Sequence, residues 1–170
     1  RVILPKPSGI SVEPAAVTLA VDETDPAALI QEYKTSTQLT VTVDYEDGTS
    51  IDFTSSASTT YDHSTSDPDN IVTCTADGLC SSTGFGTGSA KVIIGVSNYP
   101  TLSAEATLTV AEAGSLTAKI YEPYTPSGQQ VEDKLLSLIE GTSTYQDGVY
   151  EVLMHFSDGT VADVTNHPDT

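Results

Sequence analysis

The residues best able to do chemistry gather in one acidic stretch, Asp62-His63-Ser64-Thr65-Ser66-Asp67-Pro68-Asp69-Asn70. Calcium is held by carboxylate and carbonyl oxygens on a flexible loop, and Asp62, Asp67 and Asp69 offer three carboxylates within eight residues. The ordered Asp-x-Asp-x-Asp-Gly spacing of a dedicated calcium loop is missing. Asp and Asn also favour turns for local reasons, because their side chains bond their own backbone. The stretch therefore reads either as a calcium site or as a solvated loop.

Cys74 and Cys80 flank an Asp77-Gly78 pair, which suits a tight hairpin turn that brings both cysteines together. In an exported acidic β-protein such a pair is expected to be a disulfide that pins a hairpin. Two thiolates with no histidine close by do not make a zinc site. His63, His155 and His167 are scattered, and no Ser or Cys stands in the setting of an activated nucleophile. His155 falls on the outward parity of its strand, between Met154 and Phe156. Gly84-Phe85-Gly86-Thr87-Gly88 has the composition of a phosphate-cradling loop, but Lys91 to Ile94 after it reads as strand, where a helix N-terminus is needed. The expectation is a turn, and a protein that is not an enzyme and needs no cofactor other than, on one reading, calcium. Asn70, Asn98 and Asn166 all fail the N-glycosylation pattern, whereas Ser55, Ser56, Ser58, Thr59 and Thr60 form a hydroxyl cluster able to carry sugars or simply to face water.

Positioning these residues falls to β-strands. Aromatic residues are 6% of the chain and Trp is absent, so one large core is not expected; thin two-layer packing suits the composition better. Twenty-four Asp and Glu against six Lys and Arg give a net charge of −18, which excludes nucleic acid and anionic membranes as partners of choice. No apolar run approaches membrane-spanning length. The chain opens on Arg1 without an apolar leader, which fits a processed or excised segment of an extracellular or cell-surface protein.

Residues 1–8 combine Val2, Ile3 and Leu4 with two prolines and read as an extended arm. Strands are expected around Ile10 to Val12 and Val17 to Val21, then over Gln38 to Tyr45, Ser50 to Phe53 and Ile71 to Cys74. Lys91 to Ser97 and Ala104 to Val110 follow, with a polar loop from Thr54 to Asn70. Pro26 to Gln31 suits a helical turn capped by Asp25. The pattern then restarts with Leu116, Ala118 and Ile120. Tyr150, Val152, Met154 and Phe156 followed by Ser157-Asp158-Gly159-Thr160 match Leu39, Val41, Val43 and Tyr45 followed by Glu46-Asp47-Gly48-Thr49, each 111 places later (150 against 39). Asp52 and Thr54 recur as Asp163 and Thr165 at that offset.

Gln38 to Thr54, Ala76-Asp77-Gly78-Leu79 and Gly84 to Ile94 resemble bacterial Ig-like repeats of the group 2 type. The resemblance implies an all-β fold of tandem Ig-like sandwiches: an arm over 1–8, a complete domain over 9–111 and a partial second domain over 112–170. It also implies a spacer or binding role in surface proteins and adhesins, with no shared catalytic residues. The cysteine pair departs from the apolar residues usual around that turn.

Half a sandwich exposes a core face and an unpaired edge, so the second domain needs completion by further chain or by another subunit. In the second case a neighbour's Val2-Ile3-Leu4 arm is the candidate donor strand, and head-to-tail donation builds a filament. Two function classes follow: a structural subunit of an extracellular fibre, self-associating or next to further Ig-like repeats, and an adhesin-type module recognising carbohydrate or calcium.

Overall fold

The computed structural model describes residues 5–63, 66–67, 69–121 and 149–166, with the backbone alone at 120, 121 and 149. Val2, Ile3, Leu4 and His167 lie outside the described residues. Among the described residues the protein is all-β with one short helix, and the chain divides into two compact units, Arg1–Glu112 and Ala113–Thr170.

The first unit is sandwich-like. One layer holds β1 (Pro7–Glu13), β4 (Thr40–Tyr45) and β5 (Ser50–Asp52) in the order β1-β4-β5, with β3 (Ser36–Gln38), β8 (Leu79–Ser82) and β7 (Val72–Cys74) ordered β3-β8-β7. The other is β2-β10-β9-β6, made of β2 (Ala16–Ala20), β10 (Ser103–Ala111), β9 (Gly88–Val96) and β6 (Thr59–Asp62). Alternation decides which side chains go inward. In β9, Ala90, Val92, Ile94 and Val96 are buried while Lys91 and Ile93 face out. Ala106, Leu108 and Val110 of β10 and Val12, Leu39 and Val41 opposite join Ala90, Val92 and Ile94 in one apolar cluster. Each such Val or Leu contributes roughly 1.5–3 kcal/mol by leaving water.

The arm is shorter than residues 1–8. Strand begins at Pro7, where a missing N–H is tolerated at a strand's first residue, and the Lys6 carbonyl already accepts the Glu46 N–H at 2.9 Å. Within the expected loop 54–70 the chain forms β6, whose Thr59 to Asp62 pair with Val96 to Ile93 of β9. The expected strand from Gln38 to Tyr45 is two strands. At Leu39 the backbone N–H turns to the Gly78 carbonyl (2.9 Å), so Ser36 to Gln38 pair with β8 and Thr40 to Tyr45 with β1. The helix α1 (Pro26–Ile30) is capped as expected, with the Asp25 carboxylate accepting the Ala27 N–H and Pro26 in the first turn.

The chain path through this unit has a direction. β1 starts opposite Tyr45, whose hydroxyl lies 3.2 Å from that of Tyr99 in the turn between β9 and β10. After the cis Glu13–Pro14 bond the chain crosses to the other layer, and β2 runs parallel to β10, with Ala16 to Ala20 beside Thr107 to Ala111. The chain thus comes in at the Tyr45–Tyr99 end and leaves from Ala111 at the opposite one.

In the second unit β11 (Ala113–Tyr121), β12 (Val149–Phe156) and β13 (Val161–Asp163) form one antiparallel sheet. Its register coincides with that of β1-β4-β5. Thr42 faces Asp52 and Leu153 faces Asp163, 111 places on. Val12 faces Val41 and Ala118 faces Val152; here β11 stands 106 places after β1 (118 against 12), so the stretch of sequence between the two paired strands is five residues longer. Even the irregularity matches, between Pro7 and Gly9 in one sheet and between Ala113 and Ser115 in the other.

Candidate functional site

Two features recur in both units. The first is a hydrogen-bonded node that ends the sheet. Thr54 donates its N–H to Asp52 Oδ1 (2.8 Å) and accepts the Val41 N–H on its hydroxyl (2.8 Å), while Phe53 N–H bonds the Val41 carbonyl. Thr165 does the same with Asp163 (3.0 Å) and Val152 (2.9 Å), and Val164 N–H bonds the Val152 carbonyl. The second is an Asp-Gly-Thr hairpin. Thr49 and Thr160 each donate both N–H and hydroxyl to the aspartate two places back, and Gly48 and Gly159 take φ of 82° and 87°. In each case the Thr hydroxyl, then its amide, hold the Asp47, Asp52 and Asp163 carboxyls below their ordinary value. The Asp-x-Thr spacing signals these turns in the sequence, and Asp22-x-Thr24 is another.

The two sheets differ in what lies over them. In the first unit Val41 and Val43 are fully buried, Val41 in one cluster with Val92 and Ile94 of β9 and Ala106 and Leu108 of β10. In the second, cross-strand neighbours place Leu116, Met154 and Ala162 in one row and Ala118 and Val152 in the next, with Tyr150 on the same parity of β12. Leu116 is 59% exposed and Tyr150 58%, and Val152 and Met154 are only half-buried. None of these residues carries a charge. Charges sit on the opposite parity, where Lys119 faces Glu151 and Leu153 faces Asp163, and where His155 Nε2 lies 2.9 Å from the Thr117 hydroxyl. Phe156, on the same parity of β12 as Tyr150, Val152 and Met154, is buried, as is Val164 just past β13.

The acidic stretch is dispersed. Asp67 is turned inward, and its two carboxylate oxygens accept the Ile71 and Val72 N–H groups at 2.8 and 3.0 Å. Asp62 and Asp69 are exposed, and among the described residues no group of three or more His, Cys, Asp or Glu is placed to hold a metal. An inward carboxylate bonded to backbone amides is a loop fastener. His63 lies nearby, its Nδ1 3.6 Å from Asp67 Oδ2 and, among the described residues, without a hydrogen-bond partner.

Cys74 and Cys80 are disulfide-bonded across a directly paired position of β7 and β8, with Cα atoms 4.0 Å apart. Gly78 closes that hairpin at φ 78°, and a Cβ there would lie 2.7 Å from both the Leu39 carbonyl oxygen and the Tyr61 hydroxyl. That hydroxyl is itself fixed, donating to the Thr54 carbonyl at 2.9 Å. Burial, then the nearby Asp52 and Asp77, push the Tyr61 phenol up. In the hydroxyl cluster Thr59 is buried and donates to the Phe53 carbonyl, so it is closed to a sugar; Ser56 and Ser58 bond each other at 2.8 Å, and Ser55 and Thr60 are exposed. The loop over Gly84, Phe85 and Gly86 runs directly into β9, and Phe85 is its exposed tip. Beside α1 lies an open hollow of about 310 Å³, lined by Glu23, Leu29, Tyr33 and Lys34 among others. Among the described residues no helix is long and apolar enough to cross a membrane. No protein-family model matches this chain, and no curated protein matches it.

Proposed function

We propose that the chain is a structural segment of an extracellular fibre or filament, built of Ig-like modules strung end to end. The observation that carries this proposal is the chain path of the first unit, which comes in at the Tyr45–Tyr99 end and leaves at the Ala111 end. A module with its ends at opposite poles extends a fibre with each copy added. The coincident registers of β1-β4-β5 and β11-β12-β13 support reading the second unit as the start of another such module. The Cys74–Cys80 disulfide is compatible with an oxidising, extracellular setting.

Head-to-tail joining by donation of Val2-Ile3-Leu4 is one form of this proposal. Electron microscopy of the whole chain and of a version lacking residues 1–4 tests both levels. Thread-like particles from both versions support the fibre and dismiss the arm as donor. Threads from the whole chain alone support the arm as well. Compact particles from both argue against the fibre itself.

A further inference from the structure

We propose that the open edge of β3, together with the hollow beside α1, is a peptide-recognition site, and that its occupant is an extended, basic segment of a partner protein bound as an added strand. This goes beyond the fibre reading and does not depend on it. Ser82 N–H bonds the Thr35 carbonyl and Leu39 N–H bonds the Gly78 carbonyl, both at 2.9 Å, so residues 35, 37 and 39 turn their backbone groups to β8. The even-numbered residues turn theirs the other way. On that side the Lys34 carbonyl accepts the Ala20 N–H at 3.0 Å, and Thr40 lies opposite Glu13 of β1. There β1 ends, and the chain crosses over to run beside β10 as β2. Between Lys34 and Thr40 the edge is left uncovered, and the N–H and C=O groups of Ser36 and Gln38 bond no protein group among the described residues. Such groups are a template for another strand. Six residues at about 3.4 Å each leave roughly 20 Å, room for a segment of about four residues.

The hollow of about 310 Å³ adjoins this edge, because Thr35 and Ser36 form part of its wall, with Glu23, Leu29, Tyr33 and Lys34. Leu29 is 60% exposed and Tyr33 half-buried, so the hollow offers apolar surface to one side chain of the incoming strand. Its wall is held in place beforehand: the Thr35 carbonyl accepts the Ser82 hydroxyl as well as its N–H, and Tyr33 N–H bonds the Ala27 carbonyl.

Charge selects the occupant. Exposed Glu13 stands at one end of the gap and exposed Glu23 on the hollow, and Gln38 Nε2 donates to the carbonyl of exposed Asp77 at 2.7 Å. Lys34 opposes these three carboxylates, in a chain of net charge −18. A segment that alternates apolar residues with Lys or Arg complements both the hollow and the field around it. For so short an edge the expected Kd is on the order of 100 µM.

The test titrates a capped hexapeptide of alternating lysine and valine into the whole chain, followed by amide NMR and hydrogen exchange. The Ser36 and Gln38 amides should shift and gain protection. The same peptide with every backbone N–H methylated, and a glutamate–valine version, should each bind at least about tenfold more weakly. Ser36→Pro, which removes an N–H that β8 does not use, should weaken binding by a similar factor, whereas Ile51→Thr on the β5 edge should leave it unchanged. Should Ser36→Pro lose the protection of the Thr37 amide, Leu29→Lys on the exposed side of α1 takes its place with the same expectation. No shift at millimolar peptide, equal binding of the methylated peptide, or protection gained at β5 in place of β3 overturns the proposal. Protection of Ser36 and Gln38 that rises with the concentration of the chain alone also overturns it, by naming a second copy as the occupant.

Discussion

Replacing Thr54 with Val removes one oxygen and keeps the shape, so it deletes the two hydrogen bonds of one hydroxyl, accepted from the Val41 N–H and donated to the Asp52 carboxylate. Thr54 is buried, and its hydroxyl is the acceptor for the Val41 N–H at 2.8 Å, at the start of the strand that carries the core. A buried amide left without a partner costs about 1–3 kcal/mol. In a unit of this size each kcal/mol moves the melting temperature by about 4–8 °C, so the first unit should melt at least about 4 °C lower. Urea unfolding followed by circular dichroism measures the loss, and exchange of the Val41 amide locates it. Thr165→Val at the matching node of the second unit should cost less, because Thr165 is only half-buried and water can replace the lost oxygen. Thr54→Val within about 0.5 kcal/mol of wild type, or a larger loss from Thr165→Val, would refute this account of the node.

Three further outcomes follow from the same unit. Gly78→Ala forces a Cβ against the Leu39 carbonyl and the Tyr61 hydroxyl in a left-handed backbone, and should cost about 2–4 kcal/mol in urea unfolding. Reducing the Cys74–Cys80 bond frees a loop with a sequence separation of 6 and should cost roughly 2 kcal/mol, read from melting with and without reductant. Asp52 is held below the ordinary carboxyl value of 3.8, first by the Thr54 hydroxyl, so its contribution is fully present above that value and is lost as pH falls through the lower folded one. The melting-temperature gap between wild type and Asp52→Asn should therefore be constant above about pH 5 and close as pH drops below 3.8; a gap that widened in acid would contradict the sign.

What the sequence made legible, and what it hid, has physical causes. Val41, Val43, Ala106 and Leu108 alternate with polar residues, and a two-residue period has one structural meaning when one face is buried. Strand β6 was hidden because Thr59-Thr60-Tyr61-Asp62 has little apolar content; pairing with β9 recruits it. The break at Leu39 depends on Gly78, 39 residues on, and no local pattern announces it. Asp67 reads as a surface acid, yet the Ile71 and Val72 amides draw its carboxylate inward. The cysteine pair was legible because the Asp77-Gly78 turn and the disulfide impose the same geometry.

A fibre segment must carry tension along its length, and pulling one chain by its ends tests that directly. Force entering at Pro7 and leaving beyond Ala111 draws β2 and β10 past each other, and their parallel pairing from Ala16–Thr107 to Ala20–Ala111 is loaded in shear. The account predicts that the first unit ruptures in one step. It should release roughly 330 Å of chain at about 3.6 Å per residue, and about 20 Å more once the disulfide is reduced. The second unit should yield earlier, at lower force. A first unit that peeled open gradually, in several small low-force steps, would contradict a structural role.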